Sequence, residues 1–287
     1  MFKRFIIILT LLFSTAVNAA DIKDKATILL EEGLGAFMSN LIPGDGTTEV
    51  SVNLRENYKP DFSILGVREL KKNDNGNYFT QFSLSKSEQN NDERYTGNLG
   101  FGKRMLSDDK TLMTGINAFI DYDDEGNGRS SLGLEAKNAV LQLSSNYYKG
   151  IEDGNADEKV LDGYDVQLTS QIPYLHWANA FINTYKWEGE ERADIKGRKY
   201  GSELFLTPNL NLELAYDDKD KKGLKDEYYA HLTFVYPPRQ GPTALDGVSQ
   251  LIWKAEKDMS GELLSKVKRT NKIMIEFNGT STISRTD

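Results

Sequence analysis

The sequence predicts an all-β protein, a twelve-stranded antiparallel transmembrane β-barrel. Three observations lead there. From about Gly46 to Tyr236 the chain is a succession of strand-length runs with polar and apolar residues alternating. Side chains two apart share one face of a strand, so each run has one apolar and one polar face. The breaks between runs are alternately short and long, which is how a membrane barrel is polarised between its two sides. The first nineteen residues read as a cleaved secretory signal: basic Met1-Phe2-Lys3-Arg4, an apolar Phe5 to Phe13, and small residues at Val17-Asn18-Ala19 before the cut. The apolar run is far short of the roughly 20 residues of a spanning helix, which argues against an anchor.

In chain order, the elements expected are a signal peptide over 1–19, a short periplasmic lead-in helix over 20–45, the barrel over 46–236 and a tail over 237–287. The twelve strands fall near 46–54, 60–70, 77–86, 93–104, 111–121, 129–136, 139–148, 163–171, 175–186, 198–206, 209–216 and 227–236. Tight breaks at Leu106 to Asp109, Lys137-Asn138, Pro173-Tyr174 and Thr207-Pro208-Asn209 close hairpins at one end. Acidic stretches at Tyr122 to Arg129, Lys149 to Asp162, Trp187 to Gly197 and Asp217 to Asp226 form long loops at the other. In the fifth run Leu112, Ile116, Ala118 and Ile120 oppose Gly115, Asn117 and Asp121. In the seventh Ala139, Leu141, Leu143 and Tyr147 oppose Gln142, Ser144 and Asn146. Tyr164, Val166 and Leu168 oppose Asp165, Gln167 and Thr169 in the next run, and Leu210, Leu212, Leu214 and Tyr216 alternate with Asn211, Glu213 and Ala215. The last run ends Leu232, Phe234, Tyr236 and stops at Pro237-Pro238, since proline cannot donate to a ladder. An even strand number returns both ends to the periplasmic side.

Charged residues make up 27% of the 287 and the formal net charge is -8. Such a composition suits a barrel with a polar lumen and hydrophilic loops as well as it suits a soluble protein, and a soluble β domain would turn the same apolar faces inward. The signal sequence and the two classes of loop favour lipid. An acidic chain lacks the basic face that nucleic acid needs. Cysteine is absent, which excludes disulfide and thiol chemistry. Two histidines, His176 and His231, stand without a Ser-His-carboxylate or metal-ligand spacing, so no catalytic, cofactor-binding or metal residues are assigned, no cofactor is expected, and the protein is read as no enzyme. Asp121, Asp123, Asp124, Glu125 and Asn127 offer oxygens at alternate positions but lack the full spaced calcium pattern, and are read as a solvated acidic hairpin. Trp177, Trp187 and Trp253 are read as girdle aromatics.

The order and spacing of several phrases resemble the β-domain of intimin and invasin, the inverse autotransporters. They are Gly97-Asn98-Leu99-Gly100-Phe101-Gly102-Lys103-Arg104, Met113 to Asp123, Leu132-Gly133-Leu134-Glu135-Ala136, Leu143 to Tyr148, Asp162-Gly163-Tyr164-Asp165-Val166 and Ile172-Pro173-Tyr174-Leu175; the lead-in from Gly35 to Leu54 is similar too. The resemblance implies an outer-membrane anchor and translocator of type V secretion. Its partners would be outer-membrane lipid and the barrel assembly machinery, and its C-terminal part would turn back after the last strand and thread outward through the lumen. Ile252, Ala255, Met259 and Leu263 at helical spacing predict a luminal helix from about Ser249 to Lys268, and Val267 to Phe277 resembles the start of the exported linker. Cell adhesion belongs to the same resemblance, and it is put in doubt by two departures from the family: no stretch for a peptidoglycan-binding module between Ala20 and Asp45 and none for adhesion domains before Asp287. A stand-alone outer-membrane channel, or an adhesin remnant without export activity, is the alternative.

Overall fold

In a computed structural model, the residues described are 43–287 apart from 57, 90, 91, 156, 191, 221–225, 256, 257, 278, 279 and 283–287. The expected signal peptide and nearly all of the lead-in helix lie outside the described residues. The barrel strands are β1 (Gly46–Arg55), β2 (Asp61–Asn73), β3 (Gly76–Gln89), β4 (Asp92–Leu106), β5 (Met113–Asp123), β6 (Gly128–Lys137), β7 (Leu141–Glu152), β9 (Gly163–Ile172), β10 (Leu175–Trp187), β11 (Ile195–Phe205), β12 (Leu210–Lys219) and β13 (Glu227–Tyr236). Every neighbour is antiparallel and the sheet closes on itself between β1 and β13, from Thr48↔Tyr236 to Arg55↔Tyr229. Closure leaves the barrel no unpaired edge, the condition for a sheet to sit in lipid.

The alternation anticipated from sequence fixes the faces. Leu132 and Leu134 are each 62% exposed on the outside, as are Ile116, Ile120, Leu141, Leu143 and Leu168 to a lesser degree, while Asn117, Asp121, Gln142, Ser144, Asn146, Asp165, Gln167 and Thr169 are buried within. Exposed Tyr95, Tyr122, Tyr164 and Tyr228 lie toward the long-loop ends of their strands, with Tyr147 laddered to Tyr164 and Tyr200 to Tyr228 through Tyr216, an aromatic girdle. Trp187 departs from the girdle expected of it. It is 2% exposed, points inward and packs against Tyr148, the rings tilted by 42° with centroids 5.1 Å apart. Its position in β10 has luminal parity, shared with buried Phe181 and Tyr185.

Several strands run two to four residues beyond their predicted ends. The β3–β4 ladder continues to Gln89↔Asp92 through wholly polar sequence, because a backbone ladder needs a partner and no apolar face. Two short strands were not anticipated: β8 (Glu158–Val160), inside the β7–β9 loop, and β15 (Thr280–Thr282) in the tail, which flank β14 (Ile275–Phe277) in a separate three-stranded sheet.

The luminal helix expected from about Ser249 to Lys268 is not there. Among the described residues of that span only Met259–Glu262 is helical, a 3-10 turn, and Ile252 and Ala255 of the supposed apolar stripe are exposed. The reason is steric and electrostatic. The guanidiniums of Arg104 and Arg129 reach across to the tail's own backbone, and a helix roughly 10–12 Å across needs far more room than an extended chain. A helix would also satisfy its own carbonyls and leave the buried wall donors without acceptors, a costly state.

Candidate functional site: the threaded lumen

The lumen is lined by side chains at alternate positions of all the strands, and room for them is made by glycines. A Cβ on Gly100 would stand 2.3 Å from the Phe119 ring, and one on Gly102 would stand 2.4 Å from Phe79. Each aromatic therefore lies flat over the glycine of the neighbouring strand and does not cross the bore.

After Tyr236 the chain passes over the short-turn mouth. The Arg239 amide donates to the Pro208 carbonyl, Ser249 to Tyr174, and Met259 to Lys110, so the segment touches the β11–β12, β9–β10 and β4–β5 turns in succession. It then enters the barrel. Asn77 Nδ2 donates to the Leu263 carbonyl at 3.2 Å, Gln81 Oε1 accepts from the Val267 amide at 2.8 Å, and Gln89 Nε2 donates to Ile273 at 3.1 Å. Partners on β3 thus climb from its first residues to its last as the tail advances. On β4, running the other way, they descend: Arg104 meets the Leu263 and Ser265 carbonyls at 2.9 and 2.6 Å, and Asn98 meets Asn271 at 2.9 Å. The tail therefore crosses the whole lumen as one extended thread. At the far mouth Ile275, Glu276 and Phe277 pair with Val160, Lys159 and Glu158 of β8.

Apolar clusters close both mouths around it. Met259 and Leu263 pack with Leu106 and Met113 at the short-turn end, and Met274 packs with Tyr148, Leu161, Tyr185, Trp187 and Ile195 at the other. Between them Val267 sits among Leu65, Val67, Phe79 and Phe119.

The midsection is charged. Asp121 receives Arg129 at 2.8 Å and Arg269 of the thread at 2.7 Å, all three side chains being fully buried. Arg129 also donates to the Thr270 and Lys272 carbonyls at 2.7 and 2.9 Å. Asp165 accepts from Asn146 at 2.8 Å, from Tyr148 at 2.6 Å and from the Thr270 hydroxyl at 3.2 Å. Arg104 is held by Glu135 through two bonds of 2.7 and 3.2 Å. Lys266 and Lys268 of the thread pair with Glu49 and Glu203.

The acidic residues of the β5–β6 hairpin do not converge on one point. Asp121 faces the lumen, while Asp123 binds Arg94 at 2.7 Å and the Asn127 amide at 2.9 Å. Asp124 accepts from the Tyr95 amide, and Glu125 from Asn155. Arg94 bridges Asp123 to Glu158 of β8, at 2.6 Å from the latter. Burial works against the charged form of Glu158, yet hydrogen bonds from Arg94 and Asn127 outweigh it and hold the carboxyl below its ordinary range. His176 Nε2 contacts the Leu251 carbonyl at the short-turn mouth, and His231 is buried on β13. Sequence reasoning found the wall residues only as a polar face. Arg104, Arg129, Asp165 and Arg269 as a set were missed; the signal available was fully charged residues at luminal parity, where a lone buried charge is not tolerated.

A closed barrel with an apolar outside and a polypeptide through its centre defines an outer-membrane β-barrel with a threaded lumen. The chain belongs to the inverse autotransporter β-domain family, whose sequence profile matches residues 14–271, and its place is the bacterial outer membrane, in a lipid environment. No curated protein aligns significantly with the sequence. Among solved structures, one reported under the heading "Unveiling the Mechanism Behind the in-meso Crystallization of Membrane Proteins" is similar with a TM-score of 0.62 at 18% identity, covering 80% of this chain and 99% of its own. A KdgM porin is similar at a TM-score of 0.44 and 8% identity over 66% of this chain and 98% of its own. Outer membrane phospholipase A from Escherichia coli is similar at 0.42 and 10%, over 70% and 95%.

Proposed function

We propose that the protein is an outer-membrane anchor and translocator of the inverse autotransporter type that carries its own C-terminal segment to the cell surface. One observation carries this reading: the thread from Met259 to Ile273 follows β3 and β4 from one mouth to the other and emerges to pair with β8. With the short turns in the periplasm, the long acidic loops and the β8–β14–β15 sheet are extracellular. The wall supplies what an exported polypeptide lacks in a dry channel. Arg104, Asn98, Asn146, Arg129 and Gln89 donate to its carbonyls, so beyond the 3-10 turn at Met259–Glu262 these carbonyls are satisfied by the wall. The barrel assembly machinery is the partner expected to insert the barrel. The test is an epitope tag after Asp287 in intact cells. Antibody staining without permeabilisation is expected; a tag reached only after the outer membrane is opened returns the protein to the channel class.

A further inference from the structure

The wall reads the thread in two different ways. Most contacts are to backbone: Asn77, Arg104, Asn146, Arg129, Asn98 and Gln89 each donate to a carbonyl between Glu262 and Ile273. In an extended chain the same groups recur every second residue. Sliding the extended part of the thread by two residues would therefore offer Asn146, Arg129, Asn98 and Gln89 equivalent carbonyls, and these backbone contacts do not fix which residue stands where. Register must come from side chains, as it does for a strand in a sheet.

One side chain has a socket made for it. Arg269 reaches Asp121 through two bonds, Nη1 to Oδ1 at 3.0 Å and Nη2 to Oδ2 at 2.7 Å. It also donates to Ser131 Oγ and to Asn271 Oδ1, both at 3.0 Å, and its guanidinium lies 4.2 Å over the Phe119 ring. The planar fork matches a carboxylate in a way an ammonium does not. Asp121 already holds Arg129 of the wall and takes a second guanidinium from the thread.

We propose that Arg269 sets the register of the threaded segment, with Asp121 as the stop at which outward movement ends; this rests on the export reading above. The wall then holds the backbone of the extended polypeptide along much of its length and halts it at an arginine.

Because the chain has no cysteine, register can be read by cross-linking. Leu65→Cys and Val267→Cys, at two positions that share one apolar cluster, should be joined by a short thiol cross-linker in an otherwise native chain. Moving the arginine two residues along, in Arg269→Cys/Asn271→Arg with Leu65→Cys, should bring position 269 to the place of 267. The thiol at position 65 should then capture the thiol at position 269, by about tenfold over the thiol at position 267 in the matching Val267→Cys/Arg269→Ser/Asn271→Arg chain. Retention of the 65–267 cross-link in that matching chain overturns the proposal. A gentler variant guards against misfolding: two residues inserted after Gly247, in the exposed return segment, leave every luminal residue intact. If Arg269 sets the register the 65–267 cross-link persists, and if distance from β13 sets it the cross-link passes to position 265. A cysteine substituted for Ser281 separates the two readings. If an impermeant maleimide does not label it on whole cells, export itself fails; if it is labelled while the cross-links ignore Arg269, only the register proposal fails.

Discussion

Replacing Arg104 by methionine isolates what holds the thread at its inner end. The guanidinium is fully buried, binds Glu135 through two bonds, lies 4.4 Å over Phe79, and donates to the carbonyls of Leu263 and Ser265. Methionine keeps the bulk over Phe79 but strands the Glu135 carboxylate. Breaking a buried pair by removing one partner costs about 3–5 kcal/mol. The thread loses less: Asn77 still donates to Leu263, leaving the Ser265 carbonyl as the main orphan, at about 1–3 kcal/mol. In Arg104→Met/Glu135→Leu the stranded charge is gone, so most of the first cost should return and a loss of about 1–3 kcal/mol should remain. Urea unfolding of the full-length barrel in detergent, followed by tryptophan emission and by heat-modifiable mobility on gels, measures both variants. If the double variant is as unstable as the single one, the carboxylate is not the main liability, and the assignment of Arg104 as a pair shared between wall and thread is wrong.

Four further outcomes are expected. Leu212→Arg on the lipid face should cost about 2–4 kcal/mol near midplane depth while Glu213→Gln on the lumen side is mild, as read by folded yield in bilayers; equal tolerance would invert the faces. The threaded protein should conduct poorly in planar bilayers, and removal of residues after Gly247 should raise conductance, since Gln142, Ser144 and Asn146 would then line water; equal currents would mean that the thread does not obstruct the bore. The carboxyl of Glu158 is lowered from 4.5 on folding. Its contribution is therefore complete above that value and lost as pH falls below it through the lowered one, so amide exchange at Ile275 to Phe277 should quicken only in acid. Gly100→Val should be severely destabilising by gel mobility, because the Phe119 ring occupies the space its side chain needs.

The strands were legible because the sequence writes their faces with period two, and Asn117, Asp121 and Asn146 fell on the predicted side for that reason. The tail was read less well. Met259 and Leu263 are indeed buried, which a helical stripe requires, but Ile252 and Ala255 are outside the lumen altogether. The same spacing arises when a chain crosses a mouth and then goes straight in. Periodicity records which residues avoid water; it does not record that Arg104, Arg129 and Asn98 are waiting for carbonyls from a segment more than 130 residues away. Trp187 misled for a related reason, since an aromatic near a strand end suits a girdle and a luminal stopper equally, and only its parity against Tyr185 tells them apart. β8 is three residues long, too short for any alternation to show.

The route of the chain also determines how it bears tension. A pull on the outer end runs along the barrel axis, whereas the bonds from Asn77, Arg104, Asn146, Asn98 and Gln89 reach the thread from the side. Such a load falls on them together, in shear, and cannot peel them one at a time. Beyond them the force passes through the segment lying across the inner mouth to Tyr236, whose strand is laddered on both sides within a wall that has no seam. Tension on the thread is thereby spread around the whole circumference and into the surrounding lipid.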